Sequence, residues 1–298
     1  MTIGEMQNYE VYPAVFDLLT VNHINSIDLS SNVQKLVAKA GGSVDVGRIA
    51  EVIRENEVQI TSGDIGTILS NVSVTTGLKV ETNARIQYQQ REDGGVYKTT
   101  AEHVTINGTK GILIPRTISS SQDSQQGATI VLSFIPLRVG SNAPLIVNVN
   151  QSLSSVPAIN TLYKQGPILF EGTLLKDIQD SQTDFGITFD QWRGSGDVAA
   201  ERGSISDRQR KLEFTGRNLE LSSLITLGAI PISSGITQYY RQIGFGDNEA
   251  QHIAITFTAG TYEVTSITGQ TGSNADLKVM ASGALSISVS TASTIPTS

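Results

Sequence analysis

Apolar and polar residues alternate over much of this chain. Arg85-Ile86-Gln87-Tyr88-Gln89 and Ala101 to Ile106 carry the two-residue period of a half-buried strand. Glu92-Asp93-Gly94-Gly95 lies between them, and Asp-Gly between alternating segments signals a hairpin. The stretch Gln238 to Gln251 repeats the arrangement around Gly244-Phe245-Gly246-Asp247-Asn248. Ile112-Leu113-Ile114, Ala128 to Phe134 and Leu145 to Val149 add further strands, and Leu285, Ile287 and Val289 alternate with serines near the end. Two stretches switch to a helical period. Val33, Leu36, Val37 and Ala40 follow i, i+3, i+4, i+7, with Gly41 as a stop. Val46, Ile49, Ala50 and Ile53 repeat that spacing behind Asp45 as an N-cap, with Arg48, Glu51, Arg54 and Glu55 facing away. Asp197 to Arg202 reads as a shorter helical counterpart.

Laid over itself at an offset of about 150, the chain matches in order. Ala101-Glu102-His103-Val104-Thr105-Ile106 falls on Ala250-Gln251-His252-Ile253-Ala254-Ile255, and Gln87-Tyr88 resembles Gln238-Tyr239. Gly111 falls on Gly260, Ile118 on Ile267, Ala128 to Leu132 on Ala275 to Val279, and Val58 to Thr61 on Leu212 to Thr215. The expected organisation is an N-terminal arm (1–20), a first β domain (21–150), a linker (151–166) and a second β domain repeating the first (167–298). The fold class is mainly β: two tandem β-sandwich or barrel domains, each with a flanking short helix and a long hairpin.

Composition narrows the function. The 298 residues include no cysteine, which removes disulfides, thiolate metal sites and cysteine nucleophiles together. With 21 Lys plus Arg against 28 Asp plus Glu, the net charge of -7 argues against a general nucleic-acid binder. Charged residues make up only 16%, leaving a Gly/Ser/Thr-rich, strand-prone surface of a kind that pairs with its own copies. The longest apolar runs fall far short of the ~20 residues of a membrane span, and the N-terminus lacks a signal-peptide pattern, so a soluble product is expected.

No recognised catalytic motif is present. His103 and His252 hold equivalent places in two copies, so with His23 they do not converge on a metal and read as structural imidazoles. The acidic pairs Glu92-Asp93 and Asp247/Glu249 sit on hairpin tips, without the apolar pocket that would split two carboxylate pKa values. Lys176 to Asp184, with Asp177, Asp180 and Asp184, does not fit a calcium loop and reads as a solvated loop. Arg202, Arg208, Arg210 and Lys211 form a basic cluster suited to an acidic neighbouring subunit. No enzyme activity, cofactor or metal is expected.

The run Gly77 to Leu153, with Arg85 to Tyr88, Ala101-Glu102-His103, Gly111 to Arg116, Ala128 to Ile130 and Asn142 to Val147, resembles structural proteins of tailed phages, and its organisation is similar to that of major tail tube proteins. The resemblance implies a virion protein of the tail, made in the host cytoplasm. Its fused domains would give trimeric rings of pseudo-sixfold symmetry, stacked around DNA that passes without specific binding, with tape-measure and tail terminator proteins as partners. Intersubunit-contact candidates are Tyr12, Phe16, Tyr88, Asp93, Tyr97, Tyr239, Phe245 and Asp247, on the N-terminal arm and the two hairpins. A capsid decoration protein, or a surface adhesion or carbohydrate-binding module, is the alternative that the same pattern admits.

Overall fold

The computed structural model describes residues 8–38, 48–92, 96–125, 127–153, 161–217, 228–268, 276–283 and 286–297. The protein is mainly β, built from antiparallel sheets, with a single helix among the described residues, α1 (Ile65–Asn71). In one five-stranded sheet, β1 (Asn8–Phe16) lies between β2 (Leu19–Val21) and β6 (Ala84–Arg91), and β7 (His103–Gly108) and β10 (Ile146–Gln151) continue outward from β6. A second five-stranded sheet has the same plan. There β11 (Tyr163–Phe170) lies between β12 (Thr173–Leu175) and β18 (Ile236–Gln242), followed by β19 (His252–Thr258) and β22 (Ser286–Ser293).

The third sheet has ten strands. One half runs β3 (Ile24–Ala38), β4 (Arg48–Ser62), β9 (Thr129–Leu137), β8 (Lys110–Ser121), with β5 (Leu78–Val80) also on β8. The other half runs β13 (Ile178–Asp184), β16 (Lys211–Gly216), β21 (Asp276–Ser282), β20 (Thr261–Thr268), β17 (Ile230–Pro231). The halves meet where β8 pairs with β13. A separate hairpin, β14 (Ile187–Trp192) with β15 (Arg202–Arg208), completes the strands.

Each five-stranded sheet packs its apolar face on one half of the ten-stranded sheet. Phe16 of β1 meets Phe134 of β9 with ring centroids 5.1 Å apart. Phe170 of β11 meets Phe214 of β16 at 5.9 Å and Tyr262 of β20 at 4.8 Å, both edge-on. These rings are buried in one continuous apolar cluster, where aromatic edge-to-face packing adds to the gain from burial.

The two halves share irregular detail as well as strand order. After β1 the chain turns through Asp17 (φ 50°), and after β11 through Glu171 (φ 48°), a left-handed conformation uncommon outside glycine. The Asp17 carboxylate accepts bonds from the N–H groups of Glu81, Thr82 and Asn83, while the Glu171 carboxylate accepts them from Ser233 and Ser234. β1 bulges between Tyr12 and Val15, around Pro13, and β11 between Gln165 and Ile168, around Pro167.

Several sequence expectations need correction. The two helical patterns are strands: Val33, Leu36 and Val37 lie in β3 and Ile49, Ala50 and Ile53 in β4, the two arms of one long hairpin. Ala40, Gly41, Asp45 and Val46 fall outside the described residues. Asp197 to Glu201 is turn and irregular chain, joined to β4 by an isolated bridge between Arg54 and Ala199, and Arg202 begins β15. The stretch read as a solvated loop holds β13, in the middle of the ten-stranded sheet. Residues Asn8 to Phe16, read as part of an arm, pair with β6 as a strand of the first sheet. Finally, Tyr88 pairs with Val104 and Tyr240 with Ile253, so the counterpart of Tyr88 is Tyr240, one position beyond the sequence match.

Candidate functional site

The hairpins read from the sequence exist as β6·β7 and β18·β19, but they do not gather the candidate contact residues on one surface. Phe16 is fully buried against Phe134, so its ring is committed to its own core and unavailable to a neighbour. Tyr239 is also buried, in a small cluster with Ala254 and Ile295. Tyr12 and Tyr88 are half-buried, and burial followed by the charge of Asp28 pushes the Tyr88 phenol up. Tyr97 is exposed, but its ring lies under Arg91 at 4.7 Å and its hydroxyl bonds Glu10. Asp247 pairs with Arg241 at 2.9 Å in its own hairpin, and Phe245 beside it is exposed. Asp93 lies outside the described residues. Two members of the basic cluster are engaged within the chain: Arg208 donates to the Thr75 carbonyl (2.7 Å) and Arg210 to the Thr75 hydroxyl (3.4 Å).

The equivalent histidines are structural. His103 and His252 are buried, and each accepts, at Nδ1, a 3.1 Å bond from a backbone N–H on the paired strand, Gln90 and Gln242. An accepting Nδ1 requires the proton on Nε2 in the neutral ring, and the His252 Nε2 stands 2.9 Å from the Gly246 carbonyl that takes it. Burial pushes the His103 pKa down, opposed by the charge of Glu102 and helped by Lys98. A depressed histidine pKa means that its stabilising contribution is complete above the unfolded value of about 6.5 and is lost as pH falls through the folded value. In urea titrations over that acidic window, His103→Asn is therefore expected to lose less stability per pH unit than the parent. Equal slopes would show that His103 carries none of the acid sensitivity.

The surface with the most distinctive geometry is the join between the sheet halves. Asp180 to Asp184 of β13 pair antiparallel with Ser121 to Thr117 of β8, and Ile118 and Thr183, opposite each other, are both fully buried. The Ser120 and Ser181 hydroxyls lie 3.0 Å apart and both donate to the side-chain carbonyl of Gln165, so the polar groups within the join are satisfied. Sequence reasoning missed β13 because its apolar content is low. Its signal was present in the small hydroxyl residues at alternate positions, Ser181 and Thr183, which a hydrogen-bonded seam accepts.

Among the described residues, both edges of the ten-stranded sheet stay open. β3 ends it on one side, and on the other β17 pairs with Thr261 and Tyr262 of β20. Beyond Glu57 and Ser30 the β3–β4 hairpin leaves the sheet as an arm, since β9 pairs with Val58 to Ser62, and the base of the arm is held by Val198 and Arg193 through Arg54 and Glu55. The arm exposes Val33, Leu36, Val37, Ile49 and Val52.

A cavity of about 630 Å³ opens beside β11 and is lined by Lys164, Lys176 and Arg241; among its described lining residues the one carboxylate, Asp247, is bonded to Arg241. Among the described residues, no group of three or more His, Asp or Glu side chains is placed to hold a metal. No helix among them is long and apolar enough to cross a membrane. No protein-family model matches the chain, and no curated protein matches it.

Proposed function

We propose that this chain is a virion structural protein, the subunit of a phage tail tube, whose copies polymerise into stacked rings around a DNA channel. The observation that carries the reading is the β8·β13 join. Two halves with the same strand plan are already fused edge to edge in one sheet, and among the described residues an open edge is left at each end. A chain made of two copies of one sandwich contains one instance of the contact by which further copies would add. Strand edges so arranged are a hazard in a monomer and are removed when rings close them. Three chains would supply six sandwiches per ring, and the exposed β3–β4 arm is the element long enough to reach the next ring. The net charge of -7 is consistent with a lumen that DNA crosses without binding. Tape-measure and tail terminator proteins are the partners this role implies.

Negative-stain electron microscopy with light scattering on the purified chain tests the reading. The expected result is rings or hollow tubes, with a ring mass of three 31.8 kDa chains, 3 × 31.8 = 95.4 kDa. A chain that stays monomeric at high concentration would instead favour a decoration or adhesion module.

A further inference from the structure

We propose that β20 of one chain pairs antiparallel with β3 of the next, with Ser30 opposite Ser266, Leu29 opposite Ile267 and Asp28 opposite Thr268. The inference rests on the proposed ring assembly and gives it a partner, a second copy of this chain, and a register.

The register comes from β-bulges that fix both strands independently of sequence similarity. β13 is bulged against β16 between Ile178 and Asp180, and β3 against β4 between Ile24 and Ser26. Counted from these bulges, Asp28, Leu29 and Ser30 hold the places of Gln182, Thr183 and Asp184. On the other side, β8 is bulged against β9 between Pro115 and Thr117, and β20 against β21 between Val264 and Ser266. Both strands carry a short flanking strand at the same level before the bulge: Leu113 pairs with Leu78 of β5, and Tyr262 with Ile230 of β17. Ser266, Ile267 and Thr268 therefore hold the places of Thr117, Ile118 and Ser119.

Within the chain, Thr117 pairs with Asp184, Ile118 with Thr183 and Ser119 with Gln182. Carrying this join to the open edges gives the proposed seam. Burial points to the same pair. Ile118 and Thr183 are 0% exposed in the internal join, whereas their counterparts Ile267 and Leu29 are 51% and 48% exposed. Two large apolar side chains thus stand in solvent at the two positions that the internal join buries. No like charges oppose each other in this register, which would disfavour it. The contact joins different edges of the two chains, so it is head-to-tail and either closes into a ring or extends.

The cysteine-free sequence allows a direct test by Leu29→Cys with Ile267→Cys in the full chain, mildly oxidised and run on a non-reducing gel. Directly opposed residues lie within the Cα separation a disulfide needs, while one position along the strand the side chain points to the other face. The two positions are at opposite ends of the sheet in one chain, so the bond must join two chains. The expected result is a ladder of reducible multimers, about tenfold above a slipped control carrying Leu29→Cys with Thr268→Cys. Microscopy of the same samples separates the failures. Assemblies without specific cross-links overturn the seam and leave the tube reading standing. Cross-links without tubes or rings support the seam and overturn the tube. A monomer that neither cross-links nor assembles overturns both.

Discussion

Replacing Phe16 or Phe170 with alanine is expected to cost the fold about 3–5 kcal/mol in each case, by the usual loss for a buried phenylalanine. Both rings are at most 1% exposed, and both hold a five-stranded sheet to its half of the ten-stranded one. At roughly 2–4 °C per kcal/mol, thermal unfolding should fall by about 6–20 °C in either variant. The comparison carries more information than either value. Phe16 precedes the Asp17 turn as Phe170 precedes the Glu171 turn, each one residue before a left-handed position. If the halves are equivalent units, the two losses will be similar, as followed by calorimetry and circular dichroism. A loss below about 1 kcal/mol at one of them would show that its sheet is held by other contacts.

Excising the outer part of the arm should have the opposite profile, a large effect on assembly and little on the fold. Val33 and Arg54 are paired across the hairpin, so residues 34–53 can be replaced by Asn-Gly, which closes a two-residue turn between them. No described side chain from Ser30 to Glu57 is buried, and the contacts of Arg54 with Val198 and of Glu55 with Arg193 are kept. The shortened chain is expected to unfold within about 1 kcal/mol of the parent, since surface changes away from core and caps are usually small. Stacked tubes should be absent in electron micrographs while single rings remain. Tubes of normal length from the shortened chain would remove the arm from the stacking contact.

Sequence reasoning located β6 and β7 by their alternation of apolar and polar residues, although Gln87, His103 and Thr105, polar members of the pattern, are buried with Ile86 and Ile106. Arg85 to Gln89 make up much of β6, and His103 to Ile106 open β7. The arm escaped for a different reason. None of its described residues is buried, so nothing forces an alternating pattern, and Val33, Leu36 and Val37 satisfy a helical spacing by accident. The bulge that leaves Val52 without an opposite residue also resets the period in β4. β13 was missed because its buried positions after Ile178 are Ser181 and Thr183, whose hydroxyls find partners in Gln165 and Tyr240. The one-residue slip at Tyr88 came from matching the Gln-Tyr pair as letters, whereas strand pairing aligns backbone positions. Neither Leu29 nor Ile267 could be singled out from sequence, since an exposed apolar residue gains meaning only from what its counterpart does in the other half.

The β8·β13 join also sets an arithmetic for anything built from this chain. The two halves of the ten-stranded sheet are tied by the polypeptide, so they face each other at a local concentration that dilution does not lower. In the assembly proposed above, every closed ring would hold an even number of halves, and its contacts would alternate between one fixed at synthesis and one formed by encounter. On dilution the second kind would part, so the pieces released would be whole chains, each carrying one free edge of either type.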